Sequence, residues 1–324
     1  MKHLYFRKNF SFPLLNCKIK GFIIHFISKV YAADLPREEK MYSSSLILEG
    51  GGMRGVYTAG VLDYFMERKL ELATVYGVSA GALNGANYKS RQIGRSINTF
   101  TGFMGDKRYS GPKYLLTTGD WFNKDFVYGT IPNLLDKVDW EGFRKSPTAL
   151  YAVLANVRTG RAEYKELKDV QIPVEMDILR ASASLPILSK PVHIDGEVYL
   201  DGGICDSIPL RKSIADGHAK NVVILTRDKG YVKTAGSNNI AADTLYRKYP
   251  NFRQAMKSRH IVYNSQVRFV HKNAADGKAF VIQPKEPVSI GRLEKDKKKL
   301  WTLYHQGFND AKECYDRLIE FLES

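Results

Sequence analysis

Of the 324 residues 44% are hydrophobic and 26% charged, an ordinary globular balance that excludes wholesale disorder. The length allows one large α/β domain with appendages, or two modest domains. The 49 Lys and Arg against 34 Asp and Glu give a formal charge of +15, which favours an anionic partner such as a phospholipid surface or nucleic acid.

Residues 1–44 read as a leader. The first 40 hold eight basic and three acidic side chains, and the apolar stretch from Gly21 to Ile27 falls short of the ~20 residues that span a bilayer. Three readings stay open: a weak signal peptide ending near Val30-Tyr31-Ala32, a basic membrane-touching leader, or upstream residues outside the working protein, which then starts at Met41. The last is favoured, because regular patterning begins at Ser45. SLILE (45–49) predicts a buried strand, and Val56, Ala59, Gly60, Leu62, Tyr64 and Met66 line a helix to about Lys69. LATVYGV (72–78) predicts a second buried strand, and a second helix starts near Ala80. A β-α-β-α unit with right-handed crossovers implies parallel strands with helices on both faces.

Residues 101–130, rich in Gly and aromatics, predict a long surface loop that is either a lid over a site or a loop without chemistry. Further strands are expected at 149–157, 197–203 and 221–227, with helices at 174–182, 242–264 and 298–322. The last is amphipathic through Leu300, Leu303, Tyr304, Phe308, Ala311, Tyr315, Leu318 and Phe321, and so docks on the core. The expected fold class is a three-layer α/β/α arrangement around a mostly parallel sheet. Residues 45–212 form its catalytic domain, and residues 213–324 complete the sheet and add a helical C-terminal extension.

Several chemistries are not supported. The densest basic run, EKDKKKLW (294–301), reads as a solvated helix face without interleaved aromatics or a nucleic-acid motif, so no nucleic-acid partner is expected. Cys17, Cys205 and Cys314 are too scattered for a disulfide framework, which makes reduced cytoplasm the default location, with peripheral contact to a membrane allowed. The seven histidines show no H-E-x-x-H or close pairing, and no metal or organic cofactor is implied.

The chemistry centres on Gly77-Val78-Ser79-Ala80-Gly81, a G-x-S-x-G pattern between a predicted strand and a predicted helix. A sharp turn there lifts the serine Oγ clear of the sheet, with Gly77 and Gly81 avoiding clashes in the bend. The helix beginning after Ser79 points its positive end at the reacting centre. Upstream, LILEGGGMRG (47–56) brings backbone close to something: Gly50-x-Gly52-x-x-Gly55 fits a dinucleotide fingerprint, yet the next strand ends in the serine turn where a ribose-binding acid is needed. The competing reading has the loop's N–H groups converge on the oxyanion of an ester attacked by Ser79. Arg54 either binds a substrate phosphate or braces the loop. Asp201, in YLDGGICDSIP (199–209), follows a strand and precedes the Gly202-Gly203 turn, which exposes its carboxylate as a base; Asp206 is the fallback.

A glycine-rich loop, G-x-S-x-G and D-G-G in this order, each after a strand, resembles the patatin-like phospholipase family. GGGMRG, GVSAG and LDGG match its three blocks, ASASLPIL (181–188) resembles the intervening segment, and SIGRLEKDKKKLWTLYHQGFNDA (289–311) resembles the C-terminal region of a bacterial branch. The resemblance implies a patatin-like fold and a lipid ester substrate. It also implies a Ser-Asp dyad of Ser79 and Asp201, with Gly50, Gly51, Gly52, Met53, Arg54 and Gly55 as the oxyanion loop. An ordinary Asp pKa near 3.9 suits a base poorly, so burial beside Tyr199 and Leu200 has to raise it. A histidine triad stays as an alternative through His218, His260, His271 or His305, while His193 reads as structural. A dinucleotide-dependent oxidoreductase and a non-catalytic lipid-surface module are the other rivals. Oligomeric state is left open.

Overall fold

The computed structural model describes residues 40–236 and 240–324, so the leader expected over 1–44 lies outside the described residues apart from 40–44. Those five belong to a strand. β1 (Lys40–Leu48) starts earlier than Ser45 because Lys40, Met41 and Tyr42 pair with Leu70, Glu71 and Leu72 ahead of a register shift. A glycine turn then leads into α1 (Gly55–Glu67), β2 (Leu70–Val78) and α2 (Ala80–Lys89), the β-α-β-α unit that the apolar spacing predicts.

The stretch expected as a long loop is about half helical. It holds the end of α3 (Arg95–Gly102), then α4 (Pro112–Thr118) and the start of a π-helical segment, Asp125–Leu135. Aromatic packing rather than apolar periodicity orders it: Phe103 meets Phe126 and Tyr109 meets Phe122 edge to face. There follow α5 (Trp140–Lys145), β3 (Ala149–Asn156), β4 (Arg161–Leu167), α6 (Pro173–Ser182), β5 (Val192–Ile194) and β6 (Glu197–Asp201). The chain closes with α7 (Leu210–Ala215), β7 (Asn221–Ile224), α8 (Ile240–Leu245), α9 (Pro250–Ala275), β8 (Ala279–Ile282) and α10 (Lys297–Glu323). The single helix expected over 242–264 is two helices. Proline at 250 pushes Tyr249 out of the helical region, and α9 restarts with Pro250 at its first position.

The strands form one sheet in the order β5-β6-β3-β2-β1-β7-β8, with β4 also paired to β3. Pairings from β3 through β2, β1 and β7 to β8 are parallel, while β4 and β6 run antiparallel to β3. Strand alternation divides the core into layers. Leu46 and Leu48 face the cluster that contains α1 and α10, whereas Ile47 faces the one that contains Leu210, Tyr263 and Val270.

The last helix is part of this core. A Cβ on Gly60 of α1 would lie 2.0 Å from the Tyr304 carbonyl oxygen, and one on Gly307 of α10 would lie 2.1 Å from that of Tyr57, so the two backbones touch. Two buried tyrosines lock the contact, Tyr57 donating to Asp310 (2.9 Å) and Tyr304 to Asp63 (2.7 Å). Burial raises the Asp63 pKa to about 6 against the pull of Tyr304 and the Gly94 N–H. Among the described residues, no helix is long and apolar enough to cross a membrane.

Candidate active site

Ser79 occupies the single-residue junction between β2 and α2 with φ 55° and ψ −122°, a backbone state that non-glycine residues avoid. What makes the turn possible is lack of bulk around it: a Cβ on Gly77 would lie 2.5 Å from Ala82 Cα, and one on Gly81 would lie 2.4 Å from the Leu48 carbonyl oxygen. The strain is held by neighbours. Ser182, the last residue of α6, accepts the Ser79 N–H (3.0 Å) and donates its own hydroxyl hydrogen to the Val153 carbonyl (2.8 Å), tying the turn to β3. Two residues on, the Ser184 carbonyl accepts the Asp201 N–H (2.8 Å). One short segment therefore fixes both members of the expected dyad, and the sequence reading assigned Ser182 no role.

Asp201 ends β6. That strand is antiparallel to β3, yet its register is offset: Asp201 pairs with Leu154, next to Val153, which pairs with Val78. The offset sets the carboxylate level with the serine turn, and both side chains line one narrow crevice with Gly50, Gly51 and Gly52. Ser79 is 6% and Asp201 3% exposed. Asp201 Oδ1 accepts the Gly203 N–H (2.8 Å), whereas Oδ2 is buried without an aligned hydrogen-bond donor. Burial raises the Asp201 pKa from its ordinary value. The Ser79 hydroxyl is close enough to be the leading influence in the opposite direction, followed by Arg259.

The glycine loop runs directly past the serine. A Cβ on Gly50 would lie 3.1 Å from Ser79 Cβ, and Gly52 has φ 56° with its missing Cβ 2.7 Å from the Arg292 carbonyl oxygen. Not every amide of the expected oxyanion loop is free. Met53 N–H donates to Arg292 O, Arg54 N–H to Gly51 O, and Gly55 N–H to Gly52 and Met53. The N–H groups of Gly50, Gly51 and Gly52 donate to no acceptor among the described residues. Arg54 is buried at 5% exposure with its Nε unpartnered, and its pKa is lowered to about 10 by burial and then by Arg227.

The other candidates lie elsewhere. Asp206 is saturated, taking Tyr164 Oη (2.6 Å) on one oxygen and Gln266 Nε2 (2.6 Å) on the other. Among the described residues no histidine lines the Ser79 crevice: His218 packs on Tyr76, His305 on Trp301, and His260 lines an adjoining cleft. Residues 101–130 supply none of its lining. The walls come instead from Leu185, Arg227, Tyr231, Lys233, Arg259 and Arg292. Glu49 closes the floor, accepting from the Thr226 N–H (2.6 Å) and hydroxyl (3.1 Å) and from Tyr263 (2.8 Å). Among the described residues, no group of three or more His, Cys, Asp or Glu is placed to hold a metal ion.

A strained serine on a strand-to-helix turn, a buried carboxylate level with it and a glycine loop with free amides define the site type of serine acyl hydrolases. The family model "Patatin-like phospholipase" matches residues 46–213, just over half of the chain, and the chain belongs to that family. A second model, "Domain of unknown function (DUF6363)", matches residues 249–323, which hold the whole of α9, β8 and α10.

Similar proteins include "Uncharacterized protein YjjU" of Escherichia coli K12, 30% identical over 185 residues (56% of this chain, 51% of that one). "Probable lipid hydrolase 463L" of Invertebrate iridescent virus 6 is 25% identical over 197 residues (56% and 66%). "Lysophospholipase nte1" of Aspergillus terreus is 30% identical over 177 residues (51% and 11%). The chain thus spans about half of the bacterial relative and a small part of the fungal one. VipD from Legionella pneumophila aligns over 85% of this chain and 67% of its own, with TM-score 0.41 and 14% identity.

Proposed function

We propose that the chain is a serine lipid acyl hydrolase that works through a Ser79-Asp201 dyad. The observation that carries it is the meeting, in one crevice, of a strained Ser79 and an Asp201 oxygen that has no aligned donor. Ser79 Oγ attacks the acyl carbonyl carbon as its proton passes to Asp201, and the free amides of Gly50, Gly51 and Gly52 receive the oxyanion. Collapse breaks the ester C–O bond, and the leaving alcohol takes the proton from Asp201. Water then gives a proton to Asp201 and attacks the acyl-enzyme; the fatty acid leaves and Ser79 regains its hydrogen. A raised Asp201 pKa brings the carboxylate closer to the basicity this transfer needs.

Family membership and the relatives named as lipid hydrolase and lysophospholipase support a lipid ester as substrate. The charge of +15 supports peripheral contact with an anionic membrane, which co-sedimentation with anionic against neutral vesicles tests. For the chemistry, a fluorophosphonate probe should label the wild type and not Ser79→Ala, and a chromogenic acyl ester should be turned over only by the wild type. Equal labelling or turnover by Ser79→Ala would refute the assignment.

A further inference from the structure

Five cations, Arg54, Arg227, Lys233, Arg259 and Arg292, line the crevice that holds Ser79. Among the described residues, none of the five has a carboxylate oxygen within 4.0 Å. The crevice's acids are Asp201 and Glu49, and Glu49 already accepts three hydrogen bonds from Thr226 and Tyr263. The cations are held by other means. Arg259 Nε donates to the Gly203 carbonyl (2.5 Å) and Arg227 to the Val288 carbonyl (2.7 Å). The Arg227 guanidinium sits 4.3 Å over the Tyr231 ring, and Lys233 Nζ 4.6 Å over that of Tyr263.

Such crowding of unpaired cations is costly in a folded protein. Its mark is on the side chains themselves: the Lys233 pKa is lowered to about 7 by burial, then by Arg259 and Arg292. Buried Arg54 Nε still lacks an acceptor. An anion with several acceptor oxygens relieves both the repulsion and the missing hydrogen bonds.

The adjoining cleft, of about 910 Å³, shares Leu185, Tyr231, Lys233, Arg259 and Arg292 with the crevice, so a group bound among the cations is continuous with the nucleophile. The acid lining this cleft, Asp243, is taken by Arg253 (2.9 Å) and Lys257 (3.3 Å). The two tyrosine rings of the crevice, Tyr231 and Tyr263, each already carry a cation, Arg227 and Lys233.

We propose that these five side chains form an anion subsite beside Ser79 that takes the phosphate monoester of a glycerolipid, selecting acylglycerol phosphates over lipids whose phosphate carries a cationic headgroup. A phosphate monoester brings nearly two negative charges and three terminal oxygens, whereas a choline headgroup adds a further cation to a crevice whose two carboxylates, Asp201 and Glu49, are taken up by the proposed proton transfer from Ser79 and by Thr226 and Tyr263. The proposal rests on the hydrolase reading for the position of the acyl chain, and it is tested apart from turnover.

The full chain carrying Ser79→Ala is titrated calorimetrically with a submicellar short-chain monoacylglycerol 3-phosphate, the matched monoacylglycerophosphocholine, and inorganic phosphate. The expected result is at least tenfold tighter binding of the phosphate monoester lipid than of the choline lipid, with inorganic phosphate weaker and competitive. Adding Lys233→Gln and Arg292→Gln, both at positions without side-chain ion pairs, should bring that ratio close to one while the unfolding temperature holds. Equal affinity for the two lipids, or a preference that survives the double change, overturns the subsite. Inorganic phosphate binding as tightly as the lipid overturns its assignment to a lipid headgroup. Fluorophosphonate labelling of the wild type separates the two claims: labelling without headgroup preference sinks the subsite alone, and preference without labelling sinks the hydrolase reading alone.

Discussion

Replacing Asp201 by Asn should abolish activity and at the same time stabilise the fold. The loss follows from removing the proposed base for the Ser79 proton. General-base catalysis typically supplies 10²–10⁴-fold, or about 2.7–5.4 kcal/mol at 1.36 kcal/mol per decade. The gain follows from the surroundings of the carboxylate, which is 3% exposed, accepts one 2.8 Å bond from Gly203 and, among the described residues, leaves Oδ2 without an aligned donor and has no cation within 4.0 Å. Asn keeps the Gly203 bond, removes the buried charge and turns a donor toward Ser79. A stabilisation of about 1 kcal/mol lies within the range of such relief, which for a domain of this size raises the melting temperature by roughly 3 °C. The pH dependence has a definite sign. Because the folded-state pKa is raised above 3.8, the folded protein holds this proton more tightly than the unfolded chain. The wild type is therefore spared the charge at pH below 3.8 and incurs its full cost above the folded-state pKa, so the advantage of Asn appears at pH 7 and fades toward pH 4. Wild-type ester hydrolysis should fall as pH drops through the same folded-state pKa, since only the carboxylate accepts the proton. Thermal melts at pH 7 and pH 4, with kcat/KM on a chromogenic acyl ester, measure all of this. An Asn variant that keeps more than a tenth of wild-type kcat/KM, or melts lower than wild type at pH 7, refutes the reasoning.

Two further substitutions probe the supports of the site. Ser182→Ala removes the acceptor of the Ser79 N–H and the donor to Val153 O; it should cost about 1–3 kcal/mol of stability and lower kcat about tenfold with KM little changed, and an unchanged kcat would show that the turn holds itself. Gly60→Ala puts a methyl 2.0 Å from the Tyr304 carbonyl oxygen, a backbone clash no side-chain rotation relieves; urea unfolding should show a loss of about 3 kcal/mol, whereas Gly102→Ala, with nothing within 4 Å, should be neutral or slightly stabilising.

The first half of the site was legible because its signals are local. Two apolar runs, two turns and a helical stripe fall within residues 45–88, and a G-x-S-x-G between strand and helix is a pattern of neighbours in sequence. β4 escaped notice because RAEYKEL pairs with β3 as a polar edge without an apolar run, and β8 because it is only four residues long. The break before Pro250 was readable from the proline itself. Ser182 was not, since a serine closing a helix resembles any other until its hydroxyl is seen between Ser79 and Val153. Which loop amides are free was equally hidden, because the acceptor that engages Met53 comes from Arg292, far along the chain.

That long-range bond bears on how the chain divides its labour. The nucleophile, its proposed base, the glycine loop and Arg54 all fall inside the stretch matched by the patatin-like phospholipase model, residues 46–213. The other four cations, Arg227, Lys233, Arg259 and Arg292, follow it, two of them inside the second matched segment, 249–323. The Arg292 carbonyl holds the Met53 amide, and Arg259 holds the Gly203 carbonyl, so residues that set the charge of the crevice also brace the oxyanion loop and the turn after Asp201. α10 shares a core with α1, which leads directly out of that loop. The residues proposed for acyl chemistry and four of the five proposed for selection thus sit on different parts of the sequence but on one packed framework, and a change in the later segment that shifts α9 or α10 reaches the glycine-loop amides through backbone contacts. A patatin-like site on another chain with the same three motifs but without these later cations would keep the acyl chemistry and lose the phosphate preference.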